Sequence, residues 1–115
     1  MSTNQGMEQQ IQDLQVLEQN LQQLLIERQN IQVDINEVSQ AFEEVKKSSG
    51  EVYKVLSGVM ILADKKTAVS DLEERKKILE LRMKSLDKQE SLVGEKSQKL
   101  RSEINSSMGA KKSRA

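Results

Sequence analysis

Carboxylates are the side chains of this chain best able to do chemistry, because it has 18 Asp and Glu residues but no His and no Cys. Without those two residue types there is no ordinary zinc, haem or iron–sulfur site, no thiol nucleophile and no His-based triad. The acidic residues lie in segments typical of solvated helices, and no Gly-x-x-x-x-Gly-Lys phosphate loop occurs. The sequence therefore predicts a protein that is not an enzyme and has no catalytic, cofactor-binding or metal-binding residue.

The composition indicates long helices and not a compact globular core. Of the 115 residues, 36% are hydrophobic and 31% charged, Pro and Trp are absent, and Phe42 and Tyr53 are the only aromatic residues. Such usage is typical of a coiled coil. No apolar run approaches the ~20 residues that span a bilayer, and the first residues lack the basic and apolar regions of a signal peptide. We therefore expect a cytoplasmic protein with no membrane partner.

Charge is divided unevenly along the chain. Residues 1–63 contain 4 basic and 9 acidic residues, a balance of −5, and residues 64–115 contain 14 and 9, a balance of +5. Halves of opposite charge favour a chain that folds back on itself. A basic half could instead bind nucleic acid, but its Lys and Arg residues alternate with acidic ones and no aromatic residue accompanies them, so we expect no nucleic-acid partner.

A heptad repeat predicts a first coiled-coil helix over residues 9–48, after a disordered N-terminus at residues 1–8. Only Arg28 interrupts the apolar seam, and Ser48-Ser49-Gly50 supplies the end of the helix after two lysines. The seam residues are Leu14, Leu17, Leu21, Leu24, Ile31, Ile35, Val38, Phe42 and Val45.

A second helix is predicted over residues 65–106, after Asp64 as N-cap and before a disordered tail at residues 107–115. Its seam residues are Val69, Leu72, Leu79, Met83, Leu86, Val93, Leu100 and Ile104. Each helix would be about 60 Å long, so an antiparallel pair is the simplest arrangement. A register in which facing positions sum to 114 brings Arg28 near Glu90. Either this pair fixes the register or both side chains reach to water.

Between the helices, residues 51–64 (EVYKVLSGVMILAD) predict a β-hairpin with strands at residues 52–56 and 59–63 around Ser57-Gly58. Only Lys54 interrupts its apolar residues, so a lone hairpin would be marginal in water and would have two unpaired edges. Because joining hairpins into a barrel removes every edge, we predict an assembly module. The alternative is a hairpin folded onto its own helices. The oligomerisation residues are predicted to be Val52, Tyr53, Val55, Leu56, Val59, Met60, Ile61 and Leu62.

The far ends of the two predicted helices also carry apolar residues. Helix ends fray, so these residues can bind exposed apolar surface on other proteins, although each by itself is also explained by seam packing. The client-binding candidates are Ile11, Leu14, Val16, Leu17, Leu100, Ile104 and Met108. The predicted fold is thus mainly α: a long antiparallel two-helix coiled coil joined by a β-hairpin that assembles into an intersubunit β-barrel.

The hairpin segment VYKVLSGVMILAD, followed by KKTAVSDLEERKKILELRMKSLDKQE, resembles the β-type subunits of the prefoldin family, above all archaeal ones. The resemblance runs from about Gln9 to Ile104 and is most specific over residues 52–72. A single hairpin matches the β type, since α-type subunits have two.

The resemblance implies a hetero-hexamer of two α-type and four β-type subunits whose hairpins join into β-barrels. It also implies ATP-independent holding of unfolded client proteins at the coiled-coil tips and their delivery to a group II chaperonin. It carries over the location of client binding but not the residues. The competing interpretations are a structural or adaptor coiled coil that oligomerises through the hairpin, and a nucleic-acid-binding arm.

Overall fold

The computed structural model describes residues 3–113 as helix, strand, strand and helix. Helix α1 spans Thr3–Lys47, strand β1 Val52–Leu56, strand β2 Val59–Ala63 and helix α2 Lys65–Ser113. The mainly α architecture with one hairpin between two long helices is therefore confirmed.

Helix α1 is rich in Gln, whose side chains add local support. The Gln9 amide donates to Asp13 at 3.0 Å and the Gln32 amide to Asn36 at 3.0 Å. Partners four residues apart lie one above the other on a helix and stabilise it modestly. At the C-terminal end, the Ser48 amide still donates to the Glu44 and Val45 carbonyls at 3.0 and 3.2 Å. The chain leaves the helix after this residue.

Both helices are longer than expected. Residues 3–8 and 107–113, predicted to be disordered, are helical in the structure. Neither segment contains Pro, and a helical glycine such as Gly6 or Gly109 costs only about 1 kcal/mol relative to Ala. No local signal therefore stops either helix at the expected place. The remaining residues of those two predicted segments, 1–2 and 114–115, lie outside the described residues.

Asp64 begins helix α2 as its N-cap. Its carbonyl accepts the first intrahelical bond, from the Ala68 amide at 2.9 Å. Its carboxylate accepts a further bond from the Thr67 hydroxyl at 3.1 Å. An Asp at this position is favoured because it satisfies groups that the first turn would leave unpaired.

The hairpin has the two predicted strands and a two-residue turn. Leu56 lies opposite Val59, and the antiparallel pairing continues to Val52 opposite Ala63. Ser57 has φ 50° and Gly58 φ 80°. Positive φ at both central residues is the type I′ geometry, whose twist matches that of the flanking strands.

The described residues divide into two compact units. Unit 1 holds the chain up to Arg28 and from Leu86 onward, and unit 2 holds residues 29–85, including the hairpin. The buried apolar side chains are Ile31 and Val38 in unit 2 and Leu86 and Ile104 in unit 1. Every predicted seam position is buried or half-buried except Arg28. The heptad stripe thus forms the core of each unit.

Candidate functional site

The hairpin exposes nearly all of its apolar side chains, and we call these residues the hairpin surface. Their exposed fractions lie between 46% for Ile61 and 67% for Met60. The hairpin surface consists of Tyr53, Val55, Leu56, Val59, Met60, Ile61 and Leu62. Of the predicted oligomerisation residues, only Val52 is half-buried. Unit 2 therefore presents several exposed apolar side chains on one short hairpin, as soluble proteins do at sites of interaction.

The two strands form a two-stranded sheet, and residues 3–113 supply no third strand to either edge. Each edge therefore keeps backbone N–H and C=O groups available to another strand. Strand β2, Val59–Ala63, contains only apolar residues. Such an edge has none of the charges or prolines that discourage strand addition.

Polar contacts fix the base of the hairpin. The Lys65 ammonium donates to the Ser48 carbonyl at 2.6 Å, which connects the first turn of α2 to the end of α1. The Tyr53 hydroxyl donates to the Glu51 carboxylate. That hydrogen bond raises the pKa of Tyr53, with a further contribution from desolvation, because both favour the neutral phenol.

All of the client-binding candidates belong to unit 1, but their exposure is unequal. Ile11, Val16 and Met108 are 40%, 55% and 46% exposed, and we call these three residues the helix-end surface. Ile104 is only 6% exposed, and the other three candidates, Leu14, Leu17 and Leu100, are half-buried. In this conformation the helix-end surface is open to a partner, whereas the seam residues become available only if the helix ends separate.

Ion pairs join the two helices within unit 1. Arg28 contacts Glu90 at 3.5 Å, as the predicted register requires, and also Asp87 at 3.1 Å. A second pair joins Arg101 and Glu18. Glu18 and Arg28 follow each other along α1, whereas their partners, Arg101 and Glu90, come in the reverse order along α2. The two helices of this unit therefore run antiparallel.

Sequence reasoning missed several features of the helices. Asp87, Glu18 and Arg101 were not singled out, although they flank seam positions, where charged residues commonly pair. Ile78, Leu81 and Leu92 are apolar residues outside the seam, and they are 58%, 66% and 58% exposed. A shallow groove of about 410 Å³ in unit 1 lies beside Leu24, Leu92 and Val93.

Two other kinds of site, a metal centre and a membrane-spanning helix, are absent from the described residues. These residues contain no cluster of three or more His, Cys, Asp or Glu side chains that could hold a metal ion. Within the same residues, neither helix has a stretch apolar enough to cross a membrane. The candidate functional sites are therefore the hairpin surface and the helix-end surface.

Comparison with known proteins gives one consistent family. The profile described as "Prefoldin subunit" matches residues 8–111. The prefoldin subunit beta of Pyrobaculum neutrophilum is 38% identical over 80 residues, which cover 68% of this chain and 64% of that relative. The chain thus matches less than two thirds of that relative's length. The prefoldin subunit beta of Thermococcus gammatolerans is 32% identical over 67% of this chain and 68% of its own.

A solved structure shows the same architecture. The crystal structure of the prefoldin beta subunit from Thermococcus strain KS-1 matches with a TM-score of 0.83 and 27% identity, over 89% of this chain and 91% of that one. The profile match covers well over half of the sequence, and the matching relatives carry the same subunit name. The chain therefore belongs to the prefoldin subunit family.

Proposed function

We propose that this chain is a β-type prefoldin subunit that assembles through its hairpin surface. The carrying observation is that seven apolar side chains of one short hairpin are each at least 46% exposed, beside two unpaired strand edges. Burying this surface between hairpins would remove apolar area from water and pair both edges. The expected complex is a hetero-hexamer of two α-type and four β-type subunits.

The proposed activity is ATP-independent holding of unfolded proteins. The helix-end surface supports this activity, since Ile11, Val16 and Met108 are exposed within one unit. One such surface is small and would bind weakly. A complex that carries several such surfaces would bind one unfolded chain more tightly, because the first contact raises the effective concentration of the chain at the other surfaces. The complex then delivers its unfolded client proteins to a group II chaperonin in the cytoplasm.

The test combines assembly and aggregation measurements. The purified chain is mixed with an α-type prefoldin subunit, and the mass of the product is measured in solution. A denatured client protein is then diluted into buffer with and without the complex, and light scattering is followed. We expect a hexamer that suppresses scattering without ATP. A complex that leaves scattering unchanged would instead support the structural or adaptor function.

A further inference from the structure

We propose that Met60 is an oxidation site and that its sulfoxide keeps the subunit out of the complex. The oxidant is hydrogen peroxide. This inference rests on the proposed assembly through the hairpin surface and adds a reversible covalent control at one residue of that surface. An oxidised subunit stays folded, but it joins the complex only after its sulfoxide has been reduced.

The reaction needs only the Met60 side chain and the peroxide. The thioether sulfur takes one oxygen atom: the O–O bond of the peroxide breaks, an S–O bond forms, and the other oxygen leaves as water. Sulfur is oxidised by two electrons and the peroxide is reduced by two. The product is a polar, chiral sulfoxide, which sulfoxide reductases return to the thioether.

The methionines that the structure describes differ in how easily peroxide can reach them. Met60 is 67% exposed, more than any other large apolar side chain among the described residues, and Met108 is 46% exposed. Met7 and Met83 are half-buried. Because peroxide must reach the sulfur atom to react, Met60 is the methionine most open to oxidation in the free chain.

The free chain can carry this sulfoxide without unfolding. Met60 lies on β2, opposite Val55 on β1, and outside the heptad seam that forms the core of each unit. At this exposure, water can hydrate the added oxygen. The sulfoxide therefore costs little until another surface covers it.

The face of the hairpin that carries Met60 cannot satisfy a sulfoxide once water has been removed. Paired residues share a face and successive residues alternate between faces, so Tyr53, Val55, Met60 and Leu62 lie together. Val55 and Leu62 have no side-chain donor, and the Tyr53 hydroxyl already donates to Glu51. A buried acceptor without a donor is costly. Covering this face is therefore favourable for the thioether and unfavourable for the sulfoxide.

Oxidation before mixing tests the proposal. The full-length chain is treated with hydrogen peroxide until peptide mass spectrometry shows complete oxidation of Met60, and catalase then removes the peroxide. Circular dichroism checks that the helices remain. The chain is titrated into an α-type prefoldin subunit, and the mass of the product is measured. The chain concentration for half-maximal assembly should rise by at least about tenfold, which corresponds to about 1.4 kcal/mol.

Two variants and a reduction step assign the effect to Met60. Met60→Leu keeps an apolar side chain of similar volume but cannot form a sulfoxide, so it should assemble equally well with and without peroxide. Met108→Leu is the matched control and should remain as sensitive to peroxide as the unmodified chain. Sulfoxide reductases for both epimers should restore assembly of the oxidised unmodified chain. This reduction decides the question even if Met60→Leu fails to assemble untreated.

The outcomes distinguish this inference from the proposed function. If the untreated chain forms no complex, the proposed function fails, and this inference fails with it. If the complex forms and the oxidised chain assembles at the same concentration, the inference is overturned while assembly stands. Loss of assembly by peroxide-treated Met60→Leu also overturns it, because another methionine would then be responsible.

The order of the two steps gives an independent check. In a complex formed before peroxide is added, Met60 should be oxidised more slowly than in the free chain, because the partner covers it. Met108 lies outside the hairpin surface and should be oxidised at the same rate in both. Equal rates for Met60 in the complex and in the free chain would overturn the inference, since its sulfur would not be covered on assembly.

Discussion

The side-chain nitrogen of Lys65 lies 2.6 Å from the carbonyl oxygen of Ser48, so the first residue of α2 caps the end of α1. A cation in the first turn of a helix is normally unfavourable, because the N-terminal end of the helix dipole is positive. Here the ammonium lies at the negative, C-terminal end of the other helix. The contact therefore joins the chain segment that enters the hairpin to the segment that leaves it, at the base of the hairpin.

Replacing Lys65 by Ala should lower the free energy of unfolding of the chain by about 1 kcal/mol, the usual size of a charge interaction with a helix end. Lys66→Ala is the matched control, since it removes the same charge from the next position. That variant should leave stability unchanged or slightly raised. Denaturant unfolding followed by circular dichroism measures both, and equal losses would show that the Ser48 contact contributes nothing.

Arg28 should be energetically coupled to Glu90. The side chains are 48% and 28% exposed, so solvent screens the pair. We expect a coupling of about 0.5 kcal/mol in a double-mutant cycle of Arg28→Ala and Glu90→Ala. The control cycle pairs Arg28→Ala with Glu95→Ala, an exposed acid on the same helix, and should give none. Zero coupling in both cycles would favour two side chains that merely reach to water.

Ser97 should be replaceable with a gain in stability. Its hydroxyl is buried without a hydrogen-bond partner among the described residues, at the seam position one heptad before Ile104. Ser97→Ala removes this unsatisfied group and improves helix propensity, so we expect stabilisation by about 1 kcal/mol or more. Ser91→Ala, at an exposed position of the same helix, should show the smaller propensity effect alone. Thermal unfolding compares the two, and a destabilised Ser97→Ala would indicate that the hydroxyl is bonded in solution.

Tyr53 should titrate above its ordinary pKa of about 10. Its hydrogen bond to Glu51 stabilises the protonated phenol, which raises the pKa in the folded chain. The stabilisation is therefore present below pH ~10 and is lost as the pH rises through the raised pKa. Ultraviolet titration is unambiguous because the chain has 1 Tyr. Glu51→Ala should return the pKa towards about 10, whereas Glu43→Ala should leave it raised.

The helix-end surface should carry client holding. Changing Ile11, Val16 and Met108 together to Ser should spare folding, since all three are exposed. The concentration of complex that halves client aggregation should rise by about fivefold or more, because weak contacts on several subunits act together. Light scattering of a diluted denatured client provides the measurement.

The control for that variant changes three exposed apolar residues of unit 2. They are Val33, Ile78 and Leu81, which are 54%, 58% and 66% exposed. Their replacement by Ser should leave holding at the unmodified level. Equal losses in the two triple variants would mean that apolar exposure in general, and not the helix-end surface, binds clients.

Much of the fold could be predicted because its signals are local and periodic. The heptad steps place every apolar seam residue from Leu14 to Ile104 in a buried or half-buried position. The Ser57-Gly58 pair between apolar runs indicated the turn, and both residues have positive φ. In each case, one backbone period or one turn geometry determines the outcome.

The rest depends on contacts that no local pattern specifies. The helices continue to Thr3 and Ser113 because nothing in the flanking sequence competes with helix formation. The contact between Lys65 and Ser48 requires the path of the hairpin in three dimensions. Likewise, the heptad does not tell that Arg28 contacts Asp87 as well as Glu90.

The backbone of Ser57 has a consequence for the fate of unassembled chains. A residue other than glycine at φ 50° costs about 1 kcal/mol, so Ser57 makes closure of the hairpin less favourable than a glycine would at that position. In the assembly that we propose, strand addition from a neighbour would offset that cost and would couple hairpin folding to association. An unassembled subunit would then open at this segment more often than an assembled one. Proteases that cleave open segments would remove surplus copies and leave the completed complex intact.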